Sequence, residues 1–292
     1  MRIDLHTHSS ASDGTQSPAD VMVSAAAAGL DVIALTDHDS AAGWNEAAGA
    51  AAEVGMTLVR GMEISTKLDG AGVHLLAYLP DPTFEPLDAE LSRVLAGREG
   101  RLEAVLSQLR EAGLDLTAAD VLKEVGAAPA IGRPHIADAM IANGMVGNRD
   151  EAFEHWLGAG MPGYVERYAT PLQEMIGLVN AAGGVAVVAH PWGRASRRVL
   201  DAPTLADLKN AGLAGIEVDH QDHDRDDRKQ LRALAVELDL IATGSSDFHG
   251  DGKVDHDLGC NLTSDDQLER LLAAAADNAN RSGRRTPQVV GR

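Results

Sequence analysis

Cysteine is nearly absent from this chain: Cys260 is the only one among 292 residues. No intrachain disulfide can form, and a reducing cytoplasm is the expected setting. Cys260 itself reads as a small apolar filler before Asn261. Aromatic residues make up only 3% of the chain, so packing must rest on Ala, Val, Leu and Ile. No apolar run approaches the roughly 18 residues of a membrane span, so none is expected. Met1-Arg2-Ile3-Asp4 runs straight into the first polar motif, which leaves no room for a signal peptide and again favours the cytoplasm. Basic charge is scarce as well, 25 residues against 44 acidic ones, for a formal charge of -19. Such a surface repels long polyanions and offers no footprint for duplex nucleic acid. A small phosphorylated substrate stays compatible, because divalent ions would reverse the local sign. The hydrophobic fraction of 45% suffices for a large core, in one α/β barrel or two ordinary domains. Oligomeric state is not encoded in any of these features.

Against this background the histidines stand out. Asp4-Leu5-His6-Thr7-His8 follows a short apolar run, and Asp13-Gly14 comes in the next turn. In an extended segment i and i+2 share a face, so His6 and His8 can grip one cation. Asp13 can then swing an oxygen back toward the pair. Imidazoles with an added carboxylate suit Zn, Mn or Fe. Similar placements recur: Asp37, His38 and Asp39 after Val32–Leu35, Glu63 after Leu58–Met62, and His74 within Val73–Tyr78. His190 follows Val185–Ala189, and Asp247 and His249 follow Leu240–Ala242. Most of these side chains end a β-type run. The C-terminal rim of a parallel barrel is where active sites assemble.

Strand-like runs alternate with Ala-rich helical stretches, a rhythm that predicts parallel strands. Ser17-Pro18 opens a helix that Gly29 stops, and Ser40 caps a second that runs through Glu53. The rhythm breaks after Pro80-Asp81-Pro82. From Pro86 to about Trp156 only helical spacing is seen, as in Leu87, Leu91, Val94 and Leu95. Residues 83–164 are therefore expected as a helical insertion between residues 1–82 and 165–292 of one barrel-like domain. The tail after Ser282 is expected to be loosely ordered. Within the insertion, Ile131-Gly132-Arg133-Pro134-His135 places Pro134 in the first turn of a helix, whose free N–H groups favour an anion. Arg133 could fork onto a phosphate there and His135 could donate to it.

The ordered set DLHTHSSASDG, LTDHD, GMEIS, VHLLAY, AHP and SSDFH resembles the PHP (polymerase and histidinol phosphatase) family of metal-dependent phosphoesterases. It is most like the stand-alone bacterial branch that includes nucleotide 3',5'-bisphosphate phosphatases. The resemblance runs from near residue 2 to near residue 250. It implies a distorted (β/α)7-type PHP barrel with a helical insertion, or lid, domain, and the RPH segment of the insertion is similar to one in that branch. It implies a trinuclear centre of two to three divalent ions (Mn, Zn or Fe). His6, His8, Glu63 and Asp247 would hold the first; Glu63, His74 and His190 the second; and Asp13, His38 and His249 the third. Glu63 would bridge, and with Asp247 and His190 would carry the catalytic role. Asp37 and Asp39 would accept from ligand N–H groups or face solvent as turn acids.

The reaction implied is attack by metal-activated hydroxide on a phosphate monoester. Arg133, His135 and Arg194 are the expected substrate contacts. Leaving-group protonation falls to His135, His220, His223 or bound water, with His223 expected at the surface. Three function classes compete. The leading one is a phosphomonoesterase on a nucleoside monophosphate or 3',5'-bisphosphate. The second acts on another phosphate ester, such as histidinol phosphate or the end of a short oligonucleotide. The third is a non-catalytic metal-binding module, which would be expected to have lost ligands and to carry a polymerase-sized extension.

Overall fold

The computed structural model describes residues 1–126, 128 and 131–291; the side chains of Glu99, Arg194 and Ala195 are not described. In chain order the first elements are β1 (Ile3–Thr7), α1 (Pro18–Ala27), β2 (Val32–Leu35), α2 (Trp44–Val54), β3 (Thr57–Leu68) and β4 (Ala71–Tyr78). Five helices follow: α3 (Glu85–Glu99), α4 (Leu102–Glu111), α5 (Ala118–Glu124), α6 (Arg133–Ala142) and α7 (Arg149–Ala152). The chain then returns to the sheet through β5 (Thr170–Pro171), α8 (Leu172–Ala181), β6 (Val185–Val188), α9 (Ala202–Asn210), β7 (Gly215–Asp219), α10 (Arg225–Glu237), β8 (Ile241–Gly244) and α11 (Asp265–Ser282).

The strand order is β1-β2-β3-β4-β6-β7-β8, with β5 added beside β3. Bridges from Thr7 to Phe248 and from Ile3 to Thr263 bring the end after β8 back against β1, so the sheet nearly closes into a barrel. Side-chain alternation follows from that closure. Ile3, Leu5, Val32, Ala34, Val59, Leu76, Tyr78, Val185, Val187 and Ile241 form one cluster that fills the interior, with Leu268 and Leu271 of α11 packed onto it. The alternate residues face outward. Ile33, Leu35 and Leu58 pack on α1 and α2, while Met62, Leu75, Val188 and Ile216 pack under α8, α9 and α10. Polar side chains are therefore left to the rim.

Four local expectations needed correction. The strands are not all parallel: β4 runs antiparallel to both β3 and β6. Asp69-Gly70 makes a tight hairpin with positive φ at both residues, 47° and 75°, which leaves no length for a crossover. The second helix starts at Trp44 rather than at Ser40, whose hydroxyl instead accepts from the Ala42 amide. The tail is not loose: Val290 exchanges two backbone hydrogen bonds with Leu58, at 3.0 and 3.1 Å. Cys260 is exposed rather than buried filler.

Among the described residues no strand lies between Tyr78 and Thr170. Helices α4 to α6 enclose their own apolar core, including Val105, Leu109, Leu116, Val121, Ile136 and Met140. Helix α3 differs, because Leu87 and Leu91 pack into the cluster outside the barrel.

Candidate metal centre

The rim is assembled by three backbone devices. First, the β1–β2 register shifts between Asp4 and Thr7. Ile3 and Leu5 fill the interior, and after the irregularity His6 and His8 reach the rim, the re-aiming a bulge provides. Second, the chain past β2 stays beside β3: Glu63 donates its amide to Thr36 O at 2.9 Å, and Asp39 donates to Glu63 O at 3.0 Å. That brings His38 against Glu63. Third, His8 N donates to Phe248 O at 2.8 Å and Thr15 N to His249 O at 3.1 Å, which places Asp247 and His249 across from His8. Gly14 is required at this crossing, since a Cβ there would lie 2.6 Å from His8 O. Asp39, His190 and Asp247 all have positive φ, at 54°, 26° and 54°. Left-handed backbone in non-glycine residues concentrates at functional sites.

Glu63 sits at the centre, 1% exposed. Its Oε2 lies 3.2 Å from His6 Nε2, 3.1 Å from His8 Nε2 and 3.4 Å from His38 Nδ1. Its Oε1 lies 2.7 Å from His74 Nδ1 and 3.1 Å from His190 Nε2. Asp247 Oδ1 completes a first group with His6, His8 and Glu63, 3.5 and 3.3 Å from the two Nε2 atoms. A second group gathers Asp13, His38 and His249, with His8 Nδ1 beside it. Asp13 lies 3.3 Å from His249 Nε2 and 3.6 Å from His38 Nε2. A third joins His38, Glu63 and His74, with His190 on the same Glu63 oxygen. All nine sequence-expected donors thus converge, and His38 stands between two groups.

Surrounding acceptors orient the rings. His6 Nδ1 donates to Glu217 Oε1 at 3.2 Å, His249 Nδ1 to Asp247 O at 2.8 Å, and His38 Nδ1 faces Glu63 O at 3.3 Å. Each leaves Nε2 with a free lone pair toward the rim. Asp247 Oδ1 is buried with no hydrogen-bond partner, although imidazole nitrogens surround it. His6 and His8 bring their Nε2 atoms to 3.0 Å of each other. An orphaned carboxylate oxygen among imidazole lone pairs fits a divalent cation.

Without a cation the charges are in conflict. Burial opposes charge on His8, but the Asp247 and Glu63 carboxylates beside it raise its pKa to about 9. Burial lowers His38 to about 3 and His249 to about 4. Glu63, Asp13 and Asp247 are held well below the usual carboxylate range despite burial, by the imidazoles and, for Asp247, first by Lys253.

Other sequence-singled residues are placed differently. Asp37 and Asp39 are neither solvent-facing nor bonded to ligand rings. Asp37 binds Ser9 N, Ser9 Oγ and Ser12 Oγ; Asp39 binds Ser65 and the Arg98 guanidinium. His223 is buried, not at the surface: it donates to Val218 O at 2.9 Å and accepts from Trp192 N at 3.2 Å. His220 Nε2 donates to Asp247 Oδ2 at 3.2 Å. Arg133 donates to Leu157 O at 2.8 Å and lies over the rings of Phe153 and Tyr164, each at 5.4 Å. His135 accepts from Gly132 N at 2.9 Å and donates to Ser12 O at 2.9 Å. Arg149 donates to Asp13 O at 3.0 Å, so the insertion holds the Ser12-Asp13 loop at two points. The side chain of Arg194 lies outside the described residues.

Sequence reasoning gave no role to Glu217, fully buried, which accepts from His6 Nδ1, His190 N and Ser245 Oγ. It also overlooked Lys253 and His256, which join His220 around Asp247. Only the inward parity of Glu217 in a short strand signalled it.

A PHP domain model matches residues 4–121. The chain is 36% identical over 248 residues to a 5'-3' exoribonuclease of Haemophilus influenzae, covering 85% of this chain and 90% of that protein. It is 36% identical over 264 residues to a 3',5'-nucleoside bisphosphate phosphatase of Chromobacterium violaceum, covering 88% and 90%. A solved structure from Bifidobacterium adolescentis, described as a candidate metal-dependent phosphoesterase, superposes with a TM-score of 0.89 at 36% identity, covering 93% of this chain and 96% of that one. The chain belongs to the PHP family. It is a metal-dependent phosphoesterase. Among the described residues no helix is long and apolar enough to cross a membrane.

Proposed function

We propose that the chain hydrolyses a phosphate monoester of a small nucleotide, a nucleoside monophosphate or 3',5'-bisphosphate, using two to three divalent ions (Mn, Zn or Fe). The observation that carries this is the gathering of nine donors in overlapping groups at the rim, five imidazoles lying against Glu63, with the unpartnered Oδ1 of Asp247 among them. His6, His8, Glu63 and Asp247 would hold one ion, Glu63, His74 and His190 a second, and Asp13, His38 and His249 a third. Ions bound there would lower the pKa of coordinated water from ~16 toward ~7 and neutralise phosphoryl charge. Glu63 would be shared between two of these ions, and Asp247 and His190 would each help to hold one of them. These three are the proposed catalytic residues.

The insertion, residues 83–164 between the barrel segments 1–82 and 165–292, is read as a lid. Its Arg133 and His135, with Arg194 from the second barrel segment, are proposed to contact the substrate. A single exposed cysteine suits a cytoplasmic setting. The acidic balance of -19 disfavours duplex nucleic acid but not a short oligonucleotide. Trimming of short 5' ends is therefore the second reading, favoured by the equal identity to the exoribonuclease.

A panel of esters assayed with each metal separates the readings: nucleoside monophosphates, 3',5'-bisphosphates, histidinol phosphate and 5'-phosphorylated dinucleotides. Phosphate release fastest from a mononucleotide supports the proposal. Nucleoside monophosphate release from dinucleotides, with the bisphosphates inert, overturns it in favour of trimming.

A further inference from the structure

The donors at the rim are not all held alike. His6, Glu63 and His74 lie within strands, whose register fixes them. Asp13 lies farther past the end of its strand than any other donor. Its carboxylate meets the Ser12 hydroxyl at 3.3 Å and the rings of His8, His38 and His249. Its backbone makes a single hydrogen bond among the described residues, and the donor is Arg149 Nη1, at 3.0 Å. The hold on this donor therefore comes from the helical insertion rather than from the barrel.

Arg149 is built for that task. It is the first residue of α7, and Asn148 caps this turn by accepting from Glu151 N at 2.9 Å. The guanidinium forks onto Asp138 of α6, Nε to Oδ1 and Nη2 to Oδ2, both at 2.6 Å. A bidentate pair fixes the plane of the group, which leaves Nη1 aimed at Asp13 O. Burial opposes the charge on Arg149, but Asp138 and then Asp13 outweigh it and raise its pKa. On the other side, a Cβ on Gly252 would lie 2.4 Å from Arg149 Nη1, so a side chain there would push the guanidinium aside. Gly252 N and Thr15 N both donate to His249 O, at 3.3 and 3.1 Å. Arg149 thus stands between the loops that carry Asp13 and His249.

We propose that Arg149 is a positioning residue for the third ion: oriented by Asp138, it fixes the Asp13 backbone, and through it the carboxylate that would meet His38 and His249. This rests on the three-ion reading above. The charges suit the role, because Asp138 neutralises a guanidinium that would otherwise repel a cation nearby. The other two ion positions do not depend on it. Their donors are placed by strand register, by the Glu63–Thr36 and Asp39–Glu63 backbone bonds, and by the bond from His8 N to Phe248 O. The insertion then does more than cover the site: it sets how many ions the rim retains. Partners one shell out from a metal ligand control its orientation, and so its affinity.

The test uses the full chain with Mn or Zn alone and no nucleotide. Wild type, Arg149→Met and Asp138→Asn are equilibrated at buffered free metal, and the bound ions are counted by elemental analysis. Competition with a chromophoric chelator gives the affinity of each ion. Both variants should bind the weakest-held ion about ten- to hundredfold less tightly than wild type, and the other ions equally well. Wild-type affinities in either variant overturn the proposal, and so does an equal weakening of all ions. A purely structural latch would lower Tm and leave the ion count of the folded protein intact, which also overturns it. Hydrogen exchange in chelator judges Arg149 without any ion. The amides of Ser12, Gly14 and Thr15, which bond Ser9 O and His249 O, should exchange faster in Arg149→Met while those of β1 and β3 do not change. Unchanged exchange in this loop overturns the proposal. If wild type binds only two ions, the three-ion reading fails, and the exchange data still decide whether Arg149 holds the loop.

Discussion

Replacing Glu217 by Gln changes one charge at constant shape, in a residue that is not a proposed ligand. The carboxylate accepts at one oxygen from His6 Nδ1 (3.2 Å) and from Ser245 Oγ, and at the other from His190 N at 2.8 Å. Despite full burial its pKa is held at about 2, mainly by His6 and His220, so it is ionised at neutral pH. A carboxamide has one acceptor and one donor end. Whichever way it turns, an NH2 group faces an N–H donor, either His190 N–H or the protonated His6 Nδ1. A buried unsatisfied donor costs roughly 1–3 kcal/mol. If the ring of His6 escapes by switching tautomer, its Nε2 acquires a proton and loses the lone pair aimed at the rim. Outer partners of metal-binding imidazoles are worth about 10–100-fold in affinity or activity. Competition with a chromophoric chelator would measure the affinity of the first site, and phosphate release would give kcat/KM. Wild-type affinity and wild-type kcat/KM in Glu217→Gln would refute the claim that Glu217 sets the His6 tautomer.

Other outcomes follow from the same geometry. Arg133→Ala should lower kcat/KM by about ten- to hundredfold without changing metal content, with Arg133→Lys recovering only part; wild-type kinetics would return Arg133 to a purely structural contact with Leu157. Excising residues 83–164 should lower Tm far more than an excision that spares α3, because Leu87 and Leu91 belong to the packing outside the barrel; equal Tm values would contradict this. The metal-free protein should lose stability as pH falls from about 6.5 toward 4, since the unfolded chain binds protons that buried His38 and His249, at about 3 and 4, refuse. His8, raised to about 9, acts oppositely: its contribution is complete below about 6.5 and lost as pH rises through about 9. A flat Tm profile in chelator from pH 4 to 9 would show that these groups are not coupled to folding.

The site was more legible than the wall around it. Most of the nine donors follow β-type runs, which made them legible from placement along the chain. Reading β4 as parallel did not hide His74, because its inward parity is the same in either direction, and in the antiparallel β4 the first half of the strand lies nearer the rim. The Asp69-Gly70 hairpin was present in the sequence as an Asp-Gly pair between apolar runs, but the βα rhythm outweighed it. The acceptors Glu217, Asp37 and Asp39 were not assignable, because orienting partners are fixed by three-dimensional proximity rather than by spacing. His223 was misplaced because its acidic neighbours suggest a surface, whereas its ring is tied to Val218 and Trp192. The ordered tail escaped notice because two backbone bonds to Leu58 carry no side-chain signature.

The central claim is that a carboxylate shared between ion positions makes a nucleotide phosphatase of this barrel. Elemental analysis and phosphate release, measured together on wild type and Glu63→Gln, test it most directly. Glu63 touches His6, His8 and His38 with one oxygen and His74 and His190 with the other. The account predicts that wild type binds two to three ions and releases phosphate from a nucleoside 3',5'-bisphosphate or monophosphate, and that Glu63→Gln loses two ion positions together along with that release. Full metal occupancy in Glu63→Gln, or wild-type turnover by it, would contradict the account.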